Sequence, residues 1–124
     1  METKETIAAQ YFHGQERFNC CQAVLKAFAH KTLMTDSFIA DNFHKYGGGR
    51  APDNMCGALY AAGILLADNQ QEFLRISEQF SIQAGSASCR GIRKAGKLSC
   101  RECVELTARL LLESEADSLK ARVG

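Results

Sequence analysis

The stretch from Gly47 to Gly63, GGGRAPDNMCGALYAAG, limits what this chain can fold into more than any other. Its three leading glycines let the backbone turn freely, the chain's only proline stiffens the exit, and Asp53 or Asn54 supplies a helix cap. Cys56 then falls in the first turn of the helix so started. Gly57, Ala58, Ala61, Ala62 and Gly63 follow, and side chains this small let a second helix approach closely. The stretch predicts a central, tightly packed helix from about Met55 to Ala67 whose chemical point is Cys56.

The other helices follow from apolar spacing and caps. Ile7, Ala8, Tyr11 and Phe12 recur at helical spacing over about Lys4 to Gln15, up to Gly14. Asn19 with Gln22 three residues later makes a capping box for a second helix running to about Lys31, which opens with Cys20 and Cys21. Thr35 or Asp36 caps a third, carrying Phe38, Ile39, Phe43 and Tyr46. Beyond the central helix, Asp68 and Asn69 mark a break. A helix over about Gln71 to Gln83 then places Phe73, Leu74, Ile76, Phe80 and Ile82 largely on one side, and Gly85 closes it.

Gly85 to Ser99 interleaves glycine, serine and basic residues and reads as a loop with at most one helical turn. Ser99 and Glu102 form a second capping box, from which Cys100, Cys103, Val104, Leu106, Thr107, Leu110 and Leu111 carry a last helix to about Glu115. The polar tail to Gly124 extends that helix or frays. No strand, repeat or low-complexity segment stands out. The expected fold is all-α, one domain over residues 1–124, a bundle of about five or six helices.

Charge excludes some functions. Fifteen basic and 14 acidic residues leave a formal net charge of +1, so nothing favours nucleic acid or an anionic membrane surface. The amino terminus has no basic start and apolar run of a secretory signal, and no apolar stretch spans a bilayer. The expected location is cytoplasmic. Six cysteines in a reducing compartment are more often metal ligands or working thiols than a permanent disulfide framework.

Their placement sharpens that choice. Cys20 and Cys21, Cys56, and Cys100 with Cys103 stand at predicted helix starts, where unpaired N–H groups and the positive end of the dipole favour thiolate. Brought together, with Cys89 on the adjoining loop, these starts would enclose a pocket rich in thiolates. Arg90, Arg93, Lys94 and Arg101, neighbours in sequence, could hold the negative charge. Cys100 and Cys103, with two residues between them in a helix's first turn, can form a disulfide or bind one metal. Cys56, Cys89, Cys100 and Cys103, with Cys20 as a fifth candidate, are enough sulfur for zinc or an iron–sulfur cluster. A second Cys-x-x-Cys, the mark of a zinc ribbon, is missing.

Against each cysteine stands the plain alternative of a small buried apolar residue, which suits Cys21 best. His13, His30 and His44 are scattered and read as surface or rim residues. Gly47 to Arg50 is no phosphate loop, lacking a following lysine with serine or threonine and a preceding strand. Tyr60 reads as core.

The residues Asn19-Cys20-Cys21-Gln22-Ala23-Val24, the glycine-rich lead into Cys56-Gly57-Ala58, and Gly85-Ser86 with Cys89 and then Cys100 resemble the redox-active protein family named for its C_GCAxxG_C_C motif. The resemblance covers about residues 19 to 110. It implies a small all-helical redox domain with Cys20, Cys56, Cys89 and Cys100 as the family cysteines. Met55 replaces the glycine before the motif cysteine, Ala61 stands at a later position where glycine is common, and Cys21 and Cys103 are additions.

Three functions remain in view. The first is thiol–disulfide chemistry with an unknown redox partner or small thiol, Cys56 or Cys100 attacking and Cys103 or Cys89 resolving. The second is a metal or electron-carrying domain holding zinc or an iron–sulfur cluster on the same cysteines. The third is a helical interaction module, and the small-residue face of the central helix would also suit a homodimer.

Overall fold

A computed structural model of the chain describes residues 8, 10, 12, 18–29, 34–46 and 54–123, the last nine by backbone alone. Among the described residues the fold is all-α, with six α-helices: α1 Cys20–Ala27, α2 Asp36–Phe43, α3 Gly57–Leu65, α4 Gln70–Ala84, α5 Cys89–Ala95 and α6 Cys100–Val123. A 3-10 turn, His44–Tyr46, prolongs α2. None of these helices is long and apolar enough to cross a membrane. The predicted helix over residues 4–15 lies mostly outside the described residues, as do the Gly47–Gly49 run, Arg50, Pro52, Asp53, His13 and His30. Within it, Ala8 is buried and accepts from the Phe12 N–H at 3.2 Å, one helical turn on.

Helices α1, α3 and α6 pack on one another, α2 lies on α1, and α4 lies on α3 and α6. Every residue from Cys20 to Leu25 is buried, so α1 is surrounded rather than amphipathic. Its tightest neighbour is α3. A Cβ built on Gly57 would stand 2.5 Å from Cys20 Sγ and 2.8 Å from the Tyr46 carbonyl oxygen, so only glycine fits there. Phe28, Leu25, Leu59, Ile76, Phe80 and Leu111 are fully or almost fully buried around these helices, each side chain contributing about 1.5–3 kcal/mol.

Several caps are as the sequence predicts. Asn19 and Gln22 form the capping box of α1, Thr35 caps α2, left-handed Gly85 closes α4, and Ser99 with Glu102 boxes the start of α6. Five expectations need correction. Asn54 has φ 57 and Met55 bridges to Ser88, and the N-cap position of α3 falls not at Asn54 but at Cys56, whose side chain makes no capping hydrogen bond; the Asp53 alternative lies outside the described residues. α1 ends at Ala27, four residues short of Lys31, and α3 at Leu65, where Leu66 turns the chain. On α4 the buried face is Ile76, Phe80 and Ala84, one turn apart each, while Leu74 and Ile82 are exposed on the opposite side. The supposed loop after Gly85 contains α5. Ser88 Oγ caps it by accepting from the Gly91 N–H, Ile92 anchors it in the core, and left-handed Gly96 ends it.

Candidate functional site

The start of α1 is fixed from three sides. Asn19 Oδ1 accepts from the Gln22 N–H at 2.9 Å, and Gln22 Oε1 accepts from the Asn19 N–H at 2.9 Å. The amide groups of the same two side chains then reach across to α2: Asn19 Nδ2 donates to the carbonyls of Phe43 and His44, and Gln22 Nε2 to those of Ile39 and Ala40. One box thus caps α1 and satisfies the free carbonyls at the end of α2. That latch sets Cys20 on one side of the Gly57 gap and the Tyr46 carbonyl beside it.

Cys56 is held from the opposite direction. Its N–H donates to the Ala87 carbonyl at 2.8 Å, so the segment before α5 sets where α3 begins. That segment is itself tightly folded. Ser86 Oγ accepts from the Ser88 N–H at 3.1 Å, and a Cβ on Gly91 would collide with Ser86. Cys89 follows as the first residue of α5, and Cys100 as the first of α6, with Cys103 one turn deeper.

These starts converge. A cavity of about 100 Å³ is lined by Cys20, Cys56, Cys89, Cys100 and Cys103, five of the six cysteines, together with Gly57, Ile92, Arg93, Leu98 and Ser99. All six cysteines are free thiols. Cys21 is fully buried in the core and does not line the cavity, in keeping with the plain reading of that residue. Among the described residues no group of three or more His, Cys, Asp or Glu side chains is placed to hold a metal ion.

The thiols form a graded series. Cys100 is exposed and Cys89 half-buried at the lip, Cys20 and Cys56 are 9% and 7% exposed on the wall, and Cys103 at 1% forms the floor. Cys56 interacts with both Cys103 and Cys20, and Cys100 lies within electrostatic range of both Cys20 and Cys89. Arg93 is the one charged residue on the cavity wall, and it interacts with Cys100. Arg90, Lys94 and Arg101 are exposed and line no part of it, Arg101 pairing instead with Glu105 at 3.9 Å.

At Cys20, Cys56 and Cys100 the electrostatics run against the expected thiolates. The neighbouring Cys56 thiol, and then burial, push Cys20 far above the ordinary thiol range. Cys56 is pushed up to about 12, chiefly by Cys103 and then by burial, with Cys20 acting the other way. Burial raises Cys21, and at Cys100 partial loss of hydration raises the thiol despite its exposure, with Arg93 opposing. Physically, desolvation and crowding of like groups outweigh the helix ends. The capping side chains of Asn19, Ser88 and Ser99 also take an N–H at three of those ends.

The sequence argument located all five lining cysteines and Arg93, but placed Cys89 on a loop. A signal for its helix was present. Asn19-Cys20, Ser88-Cys89 and Ser99-Cys100 share one pattern, a capping residue directly before a cysteine. No family model matches this chain, and neither a curated protein nor a solved structure matches it.

Proposed function

We propose that the protein carries out thiol–disulfide chemistry at the cavity where its helix starts meet. The observation that carries the reading is the gathering of Cys20, Cys56, Cys89, Cys100 and Cys103 from four separate helix starts onto one small cavity wall. Incidental buried cysteines have no reason to converge. Thiols set side by side, graded from exposed to buried, are what exchange through mixed disulfides requires: an accessible sulfur to meet a partner and neighbours to resolve it. The likeness to the C_GCAxxG_C_C family, carried by Cys20, Cys56, Cys89 and Cys100, supports the same reading, and a reducing compartment such as the cytoplasm would keep these thiols available.

The test is a thiol count on protein purified without oxygen, after reduction, after mild oxidation and after reduction again, with metal analysis and a visible spectrum alongside. The expected result is six thiols, a loss of two or more on oxidation, full recovery with reductant, and no stoichiometric metal. Stoichiometric zinc, or iron with visible absorption, would instead establish the metal-holding alternative. Six thiols unchanged by oxidant would leave a helical interaction module.

A further inference from the structure

The cavity is not an even ring of thiols. Its sulfurs run inward from Cys100 at the surface, through Cys20 and Cys56, to Cys103 on the floor; Cys56 interacts directly with Cys20 and Cys103, and Cys20 lies within electrostatic range of Cys100. Only the outermost can meet another molecule, since a space of about 100 Å³ is too small to admit a disulfide-bearing substrate with its flanking groups. The inner three are close to one another but closed to partners.

We infer that the cavity is an inward relay, in which Cys100 exchanges with a small linear disulfide at the lip and the oxidation comes to rest as a buried Cys56–Cys103 disulfide. This rests on the thiol–disulfide reading above and adds to it an entry residue, an order and an end point. In the first step the Cys100 thiolate attacks one sulfur of the substrate disulfide; the S–S bond breaks, a mixed disulfide forms, and one substrate thiolate leaves. Cys20, passing its proton to the departed substrate thiolate, then attacks Cys100 Sγ, releasing the second substrate thiolate and forming Cys20–Cys100. Cys56 attacks Cys20 Sγ and frees Cys100, and Cys103 attacks Cys56 Sγ and frees Cys20. The sum is one substrate disulfide and two protein thiols converted to two substrate thiols and Cys56–Cys103, the protons of Cys56 and Cys103 ending on the leaving thiols. Direction follows from chemistry. A disulfide is apolar and loses nothing by burial, and a Cys56 thiol held above the ordinary range is a poor leaving group, so the innermost linkage is the hardest to reopen.

Cys89 provides the internal control, because it too neighbours Cys100 but lies on the outer side. A dead-end exchanger would stop at Cys89–Cys100. The experiment mixes the reduced, full-length protein with one equivalent of oxidised glutathione, blocks thiols at intervals, and maps linkages by non-reducing peptide mass analysis. The expected sequence is a glutathione adduct on Cys100, then Cys20–Cys100, then Cys56–Cys103. Cys100→Ser should slow formation of the inner linkage by about tenfold or more, since access limits exchange, while Cys21→Ser, outside the cavity, changes it less than about twofold. Cys103→Ala should stop the series at Cys20–Cys56; should that variant not fold, the wild-type map alone decides. A final Cys89–Cys100 disulfide, or an inner linkage formed at the wild-type rate in Cys100→Ser, overturns the relay and leaves the redox reading standing. The absence of any protein disulfide overturns both.

Discussion

The lip and the inner wall of the cavity are built from the same residue in nearly the same local setting, yet they differ in exposure and in the groups that face the sulfur. Cys100 and Cys20 are each the first residue of a capped helix. Cys100 is exposed, with a guanidinium beside it; Cys20 is 9% exposed, against another thiol and the Gly57 backbone. A helix start therefore does not by itself make a reactive cysteine. What decides reactivity is which elements close over the helix end: exposed α5 residues at the lip, and α2 with α3 on the inner side.

The sharpest way to break that contrast is alkaline unfolding under reducing conditions. In the unfolded chain cysteines ionise near pH 8.5, whereas Cys20, Cys21 and Cys56 stay protonated in the fold, Cys56 to about 12. Above pH 8.5 the unfolded state releases protons that the folded state keeps, so stability is complete below that point and falls as pH climbs toward the raised values. Each such thiol gives up to about 2 kcal/mol of loss by pH 10, and the three together approach the whole stability of a small domain. Urea unfolding at pH 7.5 and pH 10 measures it. Protein oxidised to Cys56–Cys103 keeps the Cys20 and Cys21 shares and escapes only that of Cys56, so its loss should be smaller by about 2 kcal/mol; equal losses in the two forms would show that Cys56 titrates normally.

A smaller effect probes the inner wall sterically. Gly57→Ala places a methyl 2.5 Å from Cys20 Sγ and 2.8 Å from the Tyr46 carbonyl. The sulfur could rotate, but the carbonyl is backbone, in the 3-10 turn whose first residue, His44, accepts from Asn19 Nδ2. Overpacking should cost about 1–3 kcal/mol, only partly offset by the gain in helix propensity. Thermal unfolding of this variant should contrast with Gly96→Ala, where no atom lies within 4 Å and only the left-handed φ of 67 is penalised. A stable, unchanged Gly57→Ala would mean that α1 and α3 are not in close contact at the cavity.

Much of this architecture is legible in the sequence because it is local. Asn19 with Gln22, Ser99 with Glu102 and the Gly85 stop announce themselves within four residues, and the small side chains after Cys56 announce close packing. The inaccessible part is what distant segments do to a local signal. The sequence suggests Asp53 or Asn54 as a cap because both types serve so often, but the pairing of Met55 with Ser88 and of Cys56 with Ala87, more than thirty residues apart, moves the helix start. The thiolate expectation at Cys20 and Cys56 runs against the electrostatics for the same reason. Dipole and caps are visible along the chain, whereas the burial of Cys20 and Cys56 by each other and by Cys103 is visible only in three dimensions.

The least of the expected effects tests the lip. Arg93 is exposed, so its hold on the Cys100 thiolate is screened and modest, yet it opposes the burial and the neighbouring thiols that raise Cys100. Arg93→Gln should lower the thiolate fraction at neutral pH and slow alkylation of Cys100 by iodoacetamide about two- to fivefold, with the pH–rate curve displaced to higher pH. Arg93→Lys should recover most of the rate, and added salt should shrink the gap between wild type and Arg93→Gln, because the contribution is one of charge at a wet surface. Thermal stability should change by no more than about 0.5 kcal/mol, the usual range for an exposed side chain. A rate indifferent to both Arg93→Gln and salt would remove the guanidinium from the chemistry. The lip would then differ from the inner wall by exposure alone.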